Sequence, residues 1–504
     1  MKRTRLSPEL ETAWVQIQEY ARGFGLDFFP IIFEVLDYKT LYEVAALGGF
    51  PVRYPHWRFG MEYNQLSKGY AYGLSVIYEM VINTDPSYGY LLEGNEMVTQ
   101  KMVMAHVAAH VDFFKHNMWF AHTNRKMLDE MANHGSRIQR LVNRYGYDEV
   151  ENFVDLCLSL ENLIDYHAPY IKRPESEVEE PIVEDEPKGE ELAVREFKVE
   201  RNYMRDYINP PKILQQQREK LEEAQKKPRR FPENPQKDIL LFLLNYAPLK
   251  RWQHAILEII RDEAYYFAPQ GMTKIINEGW ASYWHSRIMT EKMLQDSEII
   301  SFADQHAGVV SVSSGRLNPY KLGLELLRHI EDRWDKGKFG KEYEECDDLQ
   351  VKRNWDQKFG LGREKIFEAR KLHNDVTFID TFLTPEFIVE QKLFSFEYNP
   401  GTNYYEIVSR DFKIIKEKLL FQLTNFGQPY IYVEDGNYKN RGELYLRHQH
   451  GGVDLKLDYA HDTMKNLYTL WTRPVHLETV VNKQPKIISF DGSEFRETKL
   501  DKPT

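Results

Sequence analysis

Through most of the first 170 positions apolar residues recur three and four apart, the spacing that lines one face of an α-helix. The opening segment LSPELETAWVQIQEYARGFGL offers Ser7 as N-cap, Pro8 at the first helical position and Glu11 closing toward a capping box, which predicts a helix from Pro8. An aromatic loop, FPVRYPHWRFG, separates it from the helix-like MEYNQLSKGYAYGLSVIYEMVIN, which stops at Thr84-Asp85-Pro86. Further helices are expected from about Asn95 to Phe120 and from Tyr147 to about Tyr166. The helical period returns in DILLFLLNYAPLKRWQHAILEIIRDEAYYFAPQ, with a break at Ala247-Pro248, and runs on through the segment around Glu278. It closes with NPYKLGLELLRHIEDRWDKGKFG, whose Asn318-Pro319 start suits a helix N-terminus.

After about Lys365 the period changes. LFSFEYN and YYEIVS alternate like strands around a Pro-Gly turn, and RDFKIIKEKLLFQLTNF reads as an amphipathic helix ended by Gly427. PYIYVEDG and GELYLRHQH are strands, DYAHDTMKNLYTLWT a helix, and PVHLETVV and PKIISF two more strands. Strand–strand–helix thus occurs twice, a weak internal repeat. The fold class expected is α+β, with a mainly helical N-terminal and central region followed by a smaller C-terminal α+β domain built on an antiparallel sheet.

Composition sharpens the domain picture. Nine carboxylates and three prolines fall in the 18 residues from Pro174 to Glu191, a stretch unable to bury an apolar face. A second charged run starts at Gln215. The expected division is a helical region over 1–172, a charged linker over 173–235, a second helical region over 236–360 and the C-terminal domain over 361–504. A net charge of −11 argues against nucleic acid, whose binding rests on phosphate neutralisation. Apolar runs stay short of the roughly 18 to 20 residues that span a bilayer. No apolar stretch follows the basic residues at the N-terminus, so no secretory signal is read. With two cysteines, Cys157 and Cys346, neither a disulfide framework nor a Cys-ligated metal is expected, and the expected location is the cytoplasm.

The candidate chemistry sits in two segments about 170 residues apart. His106 and His110, in His106-Val-Ala-Ala-His110, are one helical turn apart and project from one face. Glu278 and His285, in NEGWASYWH, share a face of a later helix for the same reason. Two histidines one turn apart with a carboxylate from a downstream helix is the way helical zinc hydrolases hold their ion. On a helical wheel Phe113 and Asn117 fall on the His face, whereas Asp112 and His116 do not. The general-base glutamate of an HExxH motif is missing, for Val107 follows the first histidine.

AHVAAHVDFFKHNMWF, YYFAPQGMTKIINEGWASYWHSRIM, YPHWRFG, NPYKLGLELLRHIEDRW and FIDTFLTPEF resemble the stage V sporulation protein R (SpoVR) family of bacteria over nearly the whole chain. The resemblance implies an association with spore cortex formation in spore-formers. As partners it implies a PrkA-type AAA-like serine kinase and a von Willebrand A-domain protein. It supplies no biochemical activity.

NEGWASYWH also resembles the segment that provides the third ligand in gluzincin peptidases. That likeness implies a metalloprotease-like helical core in which His106, His110 and Glu278 hold a metal, most simply zinc, with water in a fourth position. His285 would stand above that water or bind the ion. Glu263, Glu258 and Glu93 are candidates for the missing base, and Tyr265, Tyr266 and Tyr283 for oxyanion stabilisation. Of these, Glu263 and His285 are taken as catalytic candidates, and Asn117, Tyr266 and Tyr283 as substrate-binding ones. Plainer readings stand beside them: Glu258 and Glu263 can pair with Arg261, Arg251 or Lys274, and the RYPHWRFG loop can pack on the core. His448 and His450 can hold a second metal or simply end a strand. Two functions compete, a zinc-dependent hydrolase of peptide or amide bonds lacking the usual glutamate, and a regulatory scaffold working with the kinase and the von Willebrand A-domain protein. A module binding a glycan or peptide through aromatic loops is a third.

Overall fold

The computed structural model describes residues 6–71, 79–171, 231–311 and 317–500. The acidic Pro174–Glu191 segment, most of the charged run after Gln215 and the middle of the MEYNQLSKGY…MVIN stretch lie outside them. The described elements used below are, in chain order, α1 (Pro8–Gly23), β1 (Ile31–Leu36), α2 (Tyr38–Ala46), α3 (Trp57–Ala71), β2 (Glu79–Ile82), β3 (Ser87–Leu92), α4 (Met97–His116), α5 (Met127–Tyr145) and α6 (Tyr147–Leu158). There follow α7 (Ile239–Tyr246), α8 (Arg251–Met272), α9 (Lys274–Ile288), α10 (Ile299–Val309), α11 (Pro319–Asp335), α12 (Gly362–Leu372) and α13 (Asp375–Phe382). The remainder comprises β4 (Ser395–Asn399), β5 (Tyr404–Ser409), α14 (Phe412–Leu423), β6 (Tyr430–Tyr438), β7 (Glu443–Gln449), α15 (Leu457–Trp471), β8 (Val475–Val481), β9 (Gln484–Phe490) and β10 (Phe495–Lys499). The fold is α+β. Among the described residues no helix is long and apolar enough to cross a membrane.

Two compact units divide the chain, the first formed by Met1–Asn162 with Lys250–Gln428, the second by Leu163–Leu249 with Pro429–Thr504. In the first unit α4 and α9 are the central helices. Every residue of α4 from Val98 to Phe114, and of α9 from Ile275 to Ser286, is buried. Such all-round burial leaves no polar face, which is what a helix enclosed by neighbours shows. The N-terminal region also carries a three-stranded sheet in the order β1-β3-β2, with β1 parallel and β2 antiparallel to β3. The sequence reading of this region as mostly helical misses it. Runs of four to six apolar residues do not separate a buried strand from a helical segment by period alone.

Caps follow the sequence signals. Ser7 Oγ accepts from the Leu10 amide at the start of α1, and Asn318 Oδ1 accepts from the Tyr320 and Lys321 amides at the start of α11. The α9 N-terminus is capped from far along the chain. Asp375 accepts from the Ile275 and Ile276 amides at 2.8 and 2.9 Å. Helices α9 and α11 meet backbone to backbone at Gly279 and Gly323. A Cβ built on Gly279 would lie 2.3 Å from the Gly323 carbonyl carbon, and one on Gly323 would lie 2.1 Å from Ile275 O. Only glycine at both positions permits that approach.

In the second unit five strands run in the order β10-β9-β8-β7-β6. The pairs are antiparallel except β7 with β8, whose parallel register follows from the α15 crossover between them. Gln236 bridges to Val433 of β6, and Phe242 of α7 lies 5.5 Å from the Trp471 ring of α15. The two strand–strand–helix stretches read from the C-terminal sequence therefore fall one in each unit, β4-β5-α14 in the first and β6-β7-α15 in the second.

Candidate metal centre

Helix α4 presents His106 and His110 one turn apart, and α9 brings Glu278 between them. Both Nε2 atoms face the same carboxylate oxygen, Glu278 Oε2, at 3.5 Å from His106 and 3.3 Å from His110. All three ligand atoms lie within 4.8 Å of one another. Two atoms bound tetrahedrally to one ion at about 2.0–2.2 Å are separated by about 3.3–3.6 Å, so these two spacings fit a shared cation. All three side chains are buried.

The other ring nitrogens are held from behind. His110 Nδ1 is 2.9 Å from Asn277 Oδ1. An amide oxygen only accepts, so His110 carries its proton on Nδ1 and leaves the Nε2 lone pair directed at the site. His106 Nδ1 is 2.7 Å from His285 Nδ1, and His285 Nε2 is 2.9 Å from His306 Nδ1. In one consistent tautomer set His106 donates to His285 and His285 donates to His306, which directs the His106 Nε2 lone pair at the site. Burial first, then the neighbouring His106, His306 and His110, hold the His285 pKa well below its ordinary value, so the ring is neutral as this set requires.

Burial alone would raise the Glu278 pKa. When their Nε2 atoms carry protons, the imidazoles of His110 and His106, with the Lys274 ammonium, outweigh it and hold the group well below the usual carboxylate range. Lys274 Nζ donates to Glu278 Oε1. The Tyr320 ring stacks on His106 with centroids 6.2 Å apart, and Phe114 stacks on His110 at 6.1 Å. Val107, at the position of the missing glutamate, is buried on the sheet side, where its Cγ1 would lie 3.3 Å from a Cβ on Gly89 of β3.

His106, His110, Glu278 and His285 thus come together, while the other sequence candidates hold other partners. Glu263 accepts from Arg53 Nη2 at 2.5 Å and Tyr54 Oη at 3.3 Å and faces His134 Nδ1 at 3.2 Å, with Glu263, Tyr54 and His134 buried and Arg53 partly so. Glu258 pairs with Arg137 on the surface. Asn117 Nδ2 donates to the Arg370 and His373 carbonyls at the end of α12. The Tyr266 hydroxyl donates to Asn83 O, and the Tyr283 hydroxyl donates to Glu331. Arg53 and Tyr54 turn the aromatic loop inward, whereas Arg58 meets Glu161 at the surface. His448 and His450 bond to Thr479 and Asp454 respectively.

The sequence reading gives Lys274 to Glu258 or Glu263 rather than to Glu278, and overlooks the roles of Asn277 and His306. Lys274 is legible as the residue one turn before Glu278 on the same face. His306 carries no local signal.

The family described as SpoVR like protein matches residues 5–428, and the SpoVR-like C-terminal domain matches residues 429–482. The chain belongs to the SpoVR family. It is also 28% identical over 491 residues to the uncharacterized protein YcgB of Escherichia coli (strain K12), covering 93% of this chain and 91% of that one. No solved structure matches it.

Proposed function

We propose that this SpoVR protein is a mononuclear metalloprotein in which His106, His110 and Glu278 hold a divalent cation, most simply zinc, and that it acts as a metal-dependent hydrolase of peptide or amide bonds. One observation carries the reading: both Nε2 atoms lie at tetrahedral ligand spacing from one carboxylate oxygen while Asn277 and His285 hold the imidazoles from behind. Two imidazoles and one carboxylate leave a fourth position for water or substrate, the donor set of catalytic rather than structural zinc. Bound there, the ion would polarise a carbonyl and lower the pKa of its water. Asn277 and His285 fix the ligand tautomers, and Glu278 enters already ionised. Glu263, engaged by Arg53, is read as holding the α8 region together rather than as the base.

Val107 favours a second reading. With an apolar side chain packed toward β3 where the peptidases carry their base, the ion would tie α4 to α9, and the protein would work as a regulatory partner of a PrkA-type serine kinase and a von Willebrand A-domain protein. A cleavage assay separates the two. Zinc-loaded protein is incubated with a panel of peptides and cell-wall stem peptides and analysed by mass spectrometry. The hydrolase reading expects metal-dependent cleavage that His110→Ala abolishes and Glu258→Ala leaves intact. Metal uptake without cleavage of any amide supports the regulatory reading instead.

A further inference from the structure

Lys274 is an exposed group that touches this site. Its side chain is 56% exposed, yet its ammonium donates to Glu278, whose side chain is 7% exposed. It leaves α9 one turn before Glu278 on the same face. Its Nζ lies 5.8 Å from the centroid of the Tyr320 ring, which itself stacks on His106. The boundary between the buried ligands and solvent therefore includes one ammonium and one phenol ring.

Resting on the metal reading above, we infer that Lys274 is the anion-recognising residue of the centre, and that its substrates carry a carboxylate or phosphate beside the bond that is cleaved. The argument is electrostatic. Glu278 has one oxygen aimed between the histidines and the other on Lys274, so a cation gripped by the first oxygen stands close to the ammonium on the second. The two repel. An anion arriving at the open position is attracted by the same ammonium. One substitution must then move two equilibria in opposite directions, whereas a lysine that merely braces the helix moves both the same way or neither. Unit charges about 5 Å apart at an effective dielectric of roughly 40 to 80 are worth roughly a 4- to 20-fold change in an equilibrium constant, and the doubled charge of a divalent cation roughly squares that factor.

K274M keeps the aliphatic stem of this exposed side chain and removes the charge. Wild type and K274M are titrated with cobalt(II), followed by visible absorption, and the cobalt-loaded proteins are then titrated with azide and, as a neutral control, imidazole. The expected result is cobalt(II) bound about 20- to 300-fold more tightly by K274M, azide bound about 4- to 20-fold more weakly, and imidazole bound equally. Unchanged cobalt and azide affinities overturn the role of Lys274 while leaving the metal centre standing. Absence of cobalt uptake by wild type, indistinguishable from H110A, defeats the metal reading and this inference together.

Discussion

Asn277 stands beside Glu278 in the chain but serves His110, and its amide oxygen decides which imidazole nitrogen is free to bind. Asn277→Leu removes that acceptor from a buried site, so metal affinity is expected to fall about 10- to 100-fold, read by competition with a chromophoric chelator. An unchanged affinity would show that His110 needs no such support. Asp112, two residues past His110 and so about 200° round the helix from it, is buried and ionically tied. It accepts from Arg370 at 2.6 Å, from Trp280 Nε1 at 3.0 Å and from the Asp27 amide at 2.8 Å. Arg370→Met leaves that carboxylate uncompensated and is expected to cost about 3–5 kcal/mol in urea unfolding; a cost under about 1 kcal/mol contradicts the pairing. At this scale the sequence was legible where spacing alone sets geometry. The pairing of His106 with His110 follows from helical period, and so does the exclusion of Asp112 from their face, whereas Glu278 was joined to them through the gluzincin resemblance. Arg370, Asp375 and His306 were not legible, because each reaches its partner from another element.

Helix α9 holds Glu278 in place through two contacts that act on backbone. The first is the Gly279–Gly323 crossing with α11. Gly279→Ala or Gly323→Ala forces the helices apart, with an expected loss of about 1–3 kcal/mol and weakened metal binding in the same variant. Equal urea midpoints for variant and wild type would contradict so close an approach. The second is the Asp375 cap, whose pKa burial pushes up to about 7, from 3.8 for an ordinary aspartate. Between those values the folded protein holds a proton that the unfolded chain has released, so this group's contribution to stability falls as pH rises from about 4 to 7. Asp375→Asn should flatten that slope in pH-dependent unfolding, and a slope unaltered by the substitution counts against it. Helix ends with local caps, Ser7 and Asn318, were readable in advance. The β1-β3-β2 sheet was not, since its strands are too short for period to identify.

The two units are each discontinuous, and this has a consequence for dissection. Phe242 and Leu243 of α7 are buried within the second unit, where Phe242 meets Trp471. Truncation after Gln428, the boundary between the two family matches, would leave α7 without that cover. The truncated chain is expected to bind a hydrophobic dye and self-associate in size-exclusion chromatography; a monodisperse product with the wild-type melting temperature would contradict the discontinuity. The repeated strand–strand–helix pattern was visible in sequence, but its assignment to units was not. Ile415 of α14 joins the core of the first unit, whereas Met464 and Leu467 of α15 lie buried in the second. Both helices are amphipathic, and only packing shows which core each one serves.

The central claim is that α4 and α9 together grip one cation, and X-ray absorption at the zinc edge on reconstituted protein tests it most directly. The account predicts about one zinc per chain with two imidazole nitrogens and carboxylate or water oxygens at about 2.0–2.2 Å, and loss of bound zinc in His110→Ala. Substoichiometric zinc, or a coordination shell unchanged by His110→Ala, would contradict it.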